Sequence, residues 1–173
     1  MTSQPVLHLV VSAAGPAQHV DDLVRLLMAD GWTVCLILTP TAATWLDRDA
    51  LAARTGHPVR VEPRRPGDPE PHPEPDAVAV APATFNVVNK WATGVNDSVA
   101  LGQLNEAIGT GVPAHAFPRV GDLGKHPAYA GHLRLLRDAG VLVTDLPDVA
   151  RAGWQPVVDA LHPTLKRITT PPK

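Results

Sequence analysis

The sequence contains a single cysteine in 173 residues, so no disulfide framework can form within the chain and no CxxC metal pair exists. That thiol, Cys35, sits inside an apolar run, which suits a reducing compartment, and no metal site is expected. Charge of one sign is also lacking. The net charge is −2 and the pI about 6.4, which argues against a general electrostatic nucleic-acid binder. The basic pairs Arg64-Arg65 and Lys166-Arg167 are short and read as solvated surface. No apolar run approaches the length that spans a bilayer, and the start of the chain carries no basic region of the signal-peptide kind. A soluble, cytoplasmic protein without membrane or nucleic-acid partners is the expectation. Two nucleotide-binding signatures are missing as well: there is no GxGxxG and no GxxxxGK(S/T).

What is present is a chain with 45% hydrophobic residues, enough for a substantial core, and a length that fits one domain over residues 1–173. Short runs of β-branched and aliphatic residues alternate with helical patterns. Strands are expected over residues 6–11, 33–38, 76–81, 112–117 and 141–144, with a short extra strand at 58–62. Helices are expected over 21–30, 42–54, 86–109 (interrupted near Gly94) and 126–139. Residues 63–75 hold six prolines and no apolar side chain, and read as an exposed loop, either a functional flap or a disordered excursion. Residues 146–173 form a C-terminal extension. Continuously hydrophobic strands alternating with helices indicate an α/β fold whose parallel sheet is covered on both faces.

In such sheets ligands bind at the carboxyl ends of the strands. Three strand-to-helix turns are chemically suited to that place: Ser12-Ala13-Ala14-Gly15, Thr39-Pro40-Thr41 and Pro82-Ala83-Thr84-Phe85-Asn86. Each combines hydroxyl or amide side chains with small residues at the start of a helix, where free N–H groups and the helix dipole attract an anion. Ser, Thr and Asn are also ordinary helix caps, so any one of these turns alone would be unremarkable.

The segment from Ala81 to Asp97 is the most specific feature. Pro82, Ala83, Thr84, Asn86, Lys90, Gly94 and Asp97 match, in order and spacing, the pattern P-A-S/T-x-N-x-x-x-K-x-x-x-G-x-x-D. In this the chain resembles the homo-oligomeric flavin-containing cysteine decarboxylases, which include phosphopantothenoylcysteine decarboxylases and lantibiotic peptidyl-cysteine decarboxylases. Thr39-Pro40-Thr41-Ala42, Gly111-Val112-Pro113-Ala114 and His126-Pro127-Ala128 agree more loosely, and the resemblance spans roughly residues 6–145. It implies a flavodoxin-like Rossmann three-layer sandwich that binds FMN. The flavin phosphate would lie against Ser12, Gly15, Thr39 and Thr84, with Asn86 nearby, and Ala13, Thr41, Pro82 and Ala83 complete the implied cofactor-binding set. It further implies a homo-oligomer, a trimer or a multiple of trimers, acting on a small-molecule or peptide substrate that contains cysteine.

The chain departs from that family at several points. The family's catalytic histidine, in the pattern H-I/V-x-L, falls in register on Asp68; the nearest histidine is His72. The family's P-A-M-N appears as Pro113-Ala114-His115-Ala116, without the asparagine that would hold a substrate carboxylate. His115, expected at a strand end beside the flavin, becomes the first candidate acid-base residue and His72 the second; the competing reading is a partly buried structural histidine for His115 and a surface histidine for His72. Residues 145–173 contain no cysteine, which argues against the coenzyme A pathway reaction. The expected function is an FMN-dependent oxidoreductase of the decarboxylase type. The alternatives are a non-catalytic flavin-binding subunit and, less well supported, a flavin prenyltransferase using Lys90, Arg119 and Lys125.

Overall fold

The computed structural model describes residues 4–170. Five strands form one parallel sheet: β1 (Val6–Val11), β2 (Thr33–Leu38), β3 (Ala77–Ala83), β4 (Ala114–Pro118) and β5 (Leu142–Val143), in the order β2-β1-β3-β4-β5. This is the flavodoxin-like order, and its reversal between β1 and β3 opens a crevice at the carboxyl ends of those strands. β1 and β2 run in register from Val6↔Thr33 to Val11↔Leu38.

The continuous apolar character of the strands follows from burial on both faces. Leu7, Leu9, Val11, Leu36, Leu38, Ala77, Ala79 and Phe117 pack into one cluster; Val10, Ile37, Val78, Val80, Ala114 and Ala116 pack into the other. The first cluster is covered by α1 (Val20–Asp30), by α3 (Arg48–Thr55), which follows the short α2 (Pro40–Ala43), and by α8 (Gln155–Thr169), which follows the short α7 (Val149–Ala152). The second is covered by α4 (Phe85–Ala92), α5 (Val99–Thr110) and α6 (Pro127–Asp138). α1 shows why: its buried residues Val20, Leu23, Val24 and Leu27 recur at helical spacing, and Gly31 ends it in the left-handed region at φ 112°.

Several sequence expectations change here. The helix expected over 42–54 is two helices, because Asp47 caps α3 by accepting from the Ala50 N–H at 3.0 Å. The strand expected at 58–62 reduces to one bridge, Ile37↔Arg60. The expected helix 86–109 is two, separated where Gly94 turns at φ 72° and Ser98 caps α5. Pro82 and Ala83 lie inside β3 rather than in a turn. The C-terminal extension is mostly helix: α8 buries Val157, Val158, Leu161, Thr164 and Leu165 and packs beside α1. The Pro-rich loop is irregular but anchored, with Glu70 paired to Arg60 at 3.1 Å and to Arg64 at 2.7 Å, and with His72 buried. No helix among the described residues is long and apolar enough to cross a membrane.

Candidate functional site

The three turns converge. Ser12 follows β1, Thr39 follows β2 and Thr84 follows β3, and all three line a cavity of about 640 Å³ at the carboxyl edge of the sheet. That volume lies within the range usual for small-molecule and cofactor sites. Ser12 ties two of the turns together. Its Oγ donates to the Pro82 carbonyl at 2.7 Å and accepts from the Thr84 N–H at 2.9 Å. Thr39 accepts from the Ala42 N–H at 3.4 Å and Thr84 from the Val87 N–H at 3.3 Å, so both are helix caps.

Capping does not consume these hydroxyls. A threonine that accepts one N–H keeps its O–H as a donor. Thr39 and Thr84 therefore present free O–H groups at the cavity, beside the Thr41 hydroxyl and the side-chain amide of Asn86. Two cationic side chains also line it. Lys90 pairs with Asp97 at 2.5 Å, whereas Arg119 makes no ion pair with the described residues. Hydroxyl donors with nearby cations form the donor set that a phosphate monoester requires. Phe85, Val87 and Leu101 supply apolar surface, and Phe85 stacks on Tyr129 with centroids 5.8 Å apart. The residues present fit a flavin mononucleotide: a polar corner for its phosphate and an apolar wall for its ring.

Of the residues expected from sequence, Ser12, Ala13, Thr39, Thr41, Thr84 and Asn86 meet in this cavity. Gly15 does not line it; it is exposed and begins the 3-10 turn Gly15–His19 that leads into α1. Pro82 and Ala83 are buried in β3, and Pro82 acts through its carbonyl on Ser12.

The two expected catalytic histidines are elsewhere. His115 lies within β4 rather than after it, 1% exposed, on the face opposite Ala114 and Ala116. Its Nε2 is 2.9 Å from the Thr164 hydroxyl of α8, and its ring stacks on Phe117. Burial, reinforced by the nearby Arg167 charge, pushes its pKa down to about 4. His72 lies beneath the Pro-rich loop with Nε2 2.6 Å from the Pro58 carbonyl, and burial likewise pushes it down to about 4. Neither ring is among the residues lining the cavity. The expectation that His115 stands beside the flavin edge is corrected by the register of β4, which points that side chain under α8.

Sequence reasoning passed over Ser98 as a residue of this site, and brought in Phe85 only as part of the third turn and Arg119 only for the flavin prenyltransferase alternative. Ser98 had a usable signal, since it caps α5 just after the break at Gly94 and Asp97. Arg119 follows the end of β4 directly, which in a parallel sheet is where ligand contacts arise.

A model of the family described as Flavoprotein matches residues 1–169. Among curated protein sequences nothing matches the chain. Solved structures of similar fold include TvaF, an FMN-dependent cysteine decarboxylase from thioviridamide biosynthesis, with a TM-score of 0.78 at 22% identity over 94% of this chain and 98% of that one. MrsD from Bacillus sp. HIL-Y85/54728 gives 0.77 at 17% identity over 95% and 98%. HAL3 from Cryptococcus neoformans gives 0.73 at 17% identity over 98% and 100%. The expectation of FMN accords with these findings, as does the flavodoxin-like sheet.

Proposed function

The chain belongs to the Flavoprotein family, and from that premise we propose that it binds FMN in the cavity at the carboxyl ends of β1, β2 and β3 and works as an oxidative decarboxylase on a cysteine-containing small or peptidyl substrate. The observation that carries this reading is the convergence of the Ser12, Thr39 and Thr84 turns on one cavity with Lys90 and Arg119. Bound FMN supplies a two-electron acceptor. Thr39 and Thr84 would hold its phosphate through their O–H groups, Arg119 would balance its charge, and Phe85 would shield one side from water. The substrate would give up two electrons and two protons to that acceptor and release carbon dioxide, leaving an enethiol. Family resemblance favours a homo-oligomer, and Leu123, 57% exposed at the cavity, suits burial against a second chain.

A second reading, a flavin-binding subunit without its own catalysis, is favoured by the placement of His115 and His72 away from the cavity. One experiment tests both. The purified chain, loaded with FMN, is mixed with a cysteine-terminated peptide and followed by absorbance and mass spectrometry. Flavin bleaching without oxygen, together with loss of carbon dioxide and two hydrogens, supports the enzyme. Retained FMN with no change in peptide supports the subunit, and failure to take up FMN overturns both.

A further inference from the structure

The amino-terminal parts of β1 and β2 carry a separate group of polar side chains. His8 and Cys35 are register partners on neighbouring strands, so they stand side by side on the face that α5 covers. The Pro-rich loop folds back over this face and sets His72 against them, with the His8 and His72 rings edge-on at 5.3 Å between centroids. One nitrogen of each ring and the Cys35 sulfur lie within 4.8 Å of one another. All three side chains are buried, His8 at 3% exposure and His72 at 4%.

Hydrogen bonding decides which nitrogens are free. His8 Nε2 lies 2.9 Å from the Pro73 carbonyl and His72 Nε2 2.6 Å from the Pro58 carbonyl. A carbonyl oxygen only accepts, so in both rings Nε2 carries the proton and Nδ1 a lone pair. Both Nδ1 atoms are buried without a partner. The Gln103 side chain stands beside the His8 ring without closing a bond to its Nδ1. Buried acceptors are ordinarily satisfied, so two orphaned lone pairs beside one thiol call for a ligand. An imidazole whose far N–H is held by a backbone carbonyl is also the usual arrangement of a metal-ligating histidine.

We propose that His8, Cys35 and His72 form a zinc site, binding the ion through the two Nδ1 atoms and the Cys35 sulfur. Ligand bonds of ~2.0–2.3 Å to a tetrahedral zinc place the donors ~3.5 Å apart, so modest side-chain rotation closes the site. The fourth ligand is water from the adjoining cavity of about 420 Å³, which both histidines line together with Arg60, Glu70 and Glu74. Cys35 releases its proton on binding, and the sulfur returns one negative charge to the ion. Arg60 faces the group, but Glu70 holds it at 3.1 Å, and Glu74 faces His8. His8 precedes Ser12 by four residues, ~13 Å along the strand, so the ion clasps the loop to the sheet and takes no part in flavin chemistry.

The test uses the full chain, stripped with a chelator and titrated with cobalt(II) and then zinc(II). One cobalt per chain is expected, with tetrahedral ligand-field bands to the red of flavin absorption and a thiolate-to-cobalt charge-transfer band. Cys35 is the sole cysteine, so that second band in the unaltered chain identifies its sulfur as a ligand even where variants fold poorly. Zinc displaces the cobalt. Cys35→Ser and His72→Gln each abolish both sets of bands while FMN uptake, read separately, is retained. His57→Gln, altering a ring 6.3 Å from that of His72, leaves cobalt binding intact. Absence of stoichiometric binding by the unaltered chain, or binding that survives Cys35→Ser, overturns the site.

Discussion

At the carboxyl edge of the sheet, the hydroxyls of Thr39 and Thr84 cap helices with a lone pair, keep their O–H groups and face an open cavity. In the body of the same sheet, His8 and His115 are shut away on opposite faces, one under the Pro-rich loop and the other under α8. The difference is one of position along a strand. A residue inside a central strand of a sheet covered on both faces is buried, whatever its chemistry. The residue just after the strand reaches the ligand edge. Histidine is the more versatile catalytic side chain, yet at the cavity it is the small hydroxyl residues that occupy the useful places.

The largest effect expected from this contrast concerns His115. Its folded pKa of about 4 lies below the ordinary 6.5, so protonation favours the unfolded chain. Its contribution is therefore fully present above about pH 6.5 and is lost as pH falls toward 4, about 3 kcal/mol across that window. Urea unfolding across the window should show that much more pH dependence in the unaltered chain than in His115→Gln. Equal dependence in both would mean that the ring is open to solvent and the contrast is broken.

Ser12→Ala comes next. It leaves the Pro82 carbonyl without its side-chain donor and the Thr84 N–H unpaired, costing about 2 kcal/mol of stability in thermal unfolding, with weakened FMN uptake. A variant as stable as the parent would mean that the first and third turns are not coupled through this hydroxyl.

Thr84→Val sharpens the comparison at a single group. It removes a cap and a donor at the proposed phosphate corner, so FMN should bind about tenfold more weakly by fluorescence titration, with about 1 kcal/mol lost in stability. Gly15→Ala should do least. Gly15 has no left-handed backbone, nothing lies within 4 Å of an added Cβ, and the residue is outside the cavity lining. Stability should change by less than about 0.5 kcal/mol and FMN affinity not at all. A marked loss of affinity would extend the phosphate corner around the first turn.

The local parts of this structure were legible because they depend on neighbours in the chain. The apolar runs of β1 and β2 were read at their observed bounds, and Thr39 and Thr84 announce helix starts by residue type alone. α8 was not legible. Pro156 and Pro163 look like breakers, yet Pro156 sits in the first turn, where no N–H is needed, and burial of Val157, Val158, Leu161 and Leu165 holds the rest. The spacing of those four residues was the signal available. The Pro-rich loop misled for a related reason: it has no apolar side chain, but His72 fills the buried position that one would have taken.

By itself the sequence determined the α/β class, the strands of the parallel sheet and the polar turns that end three of them, since hydrophobic period and cap chemistry act over a few residues. Only the tertiary structure decided where the histidines went. The register of β1 against β2 put His8 beside Cys35, the return of the loop brought His72 to them, and the docking of α8 closed over His115. Those contacts join residues far apart in the chain, and which face of a strand a side chain takes is set by pairing and by what packs above it, neither of which is written in the spacing of its neighbours.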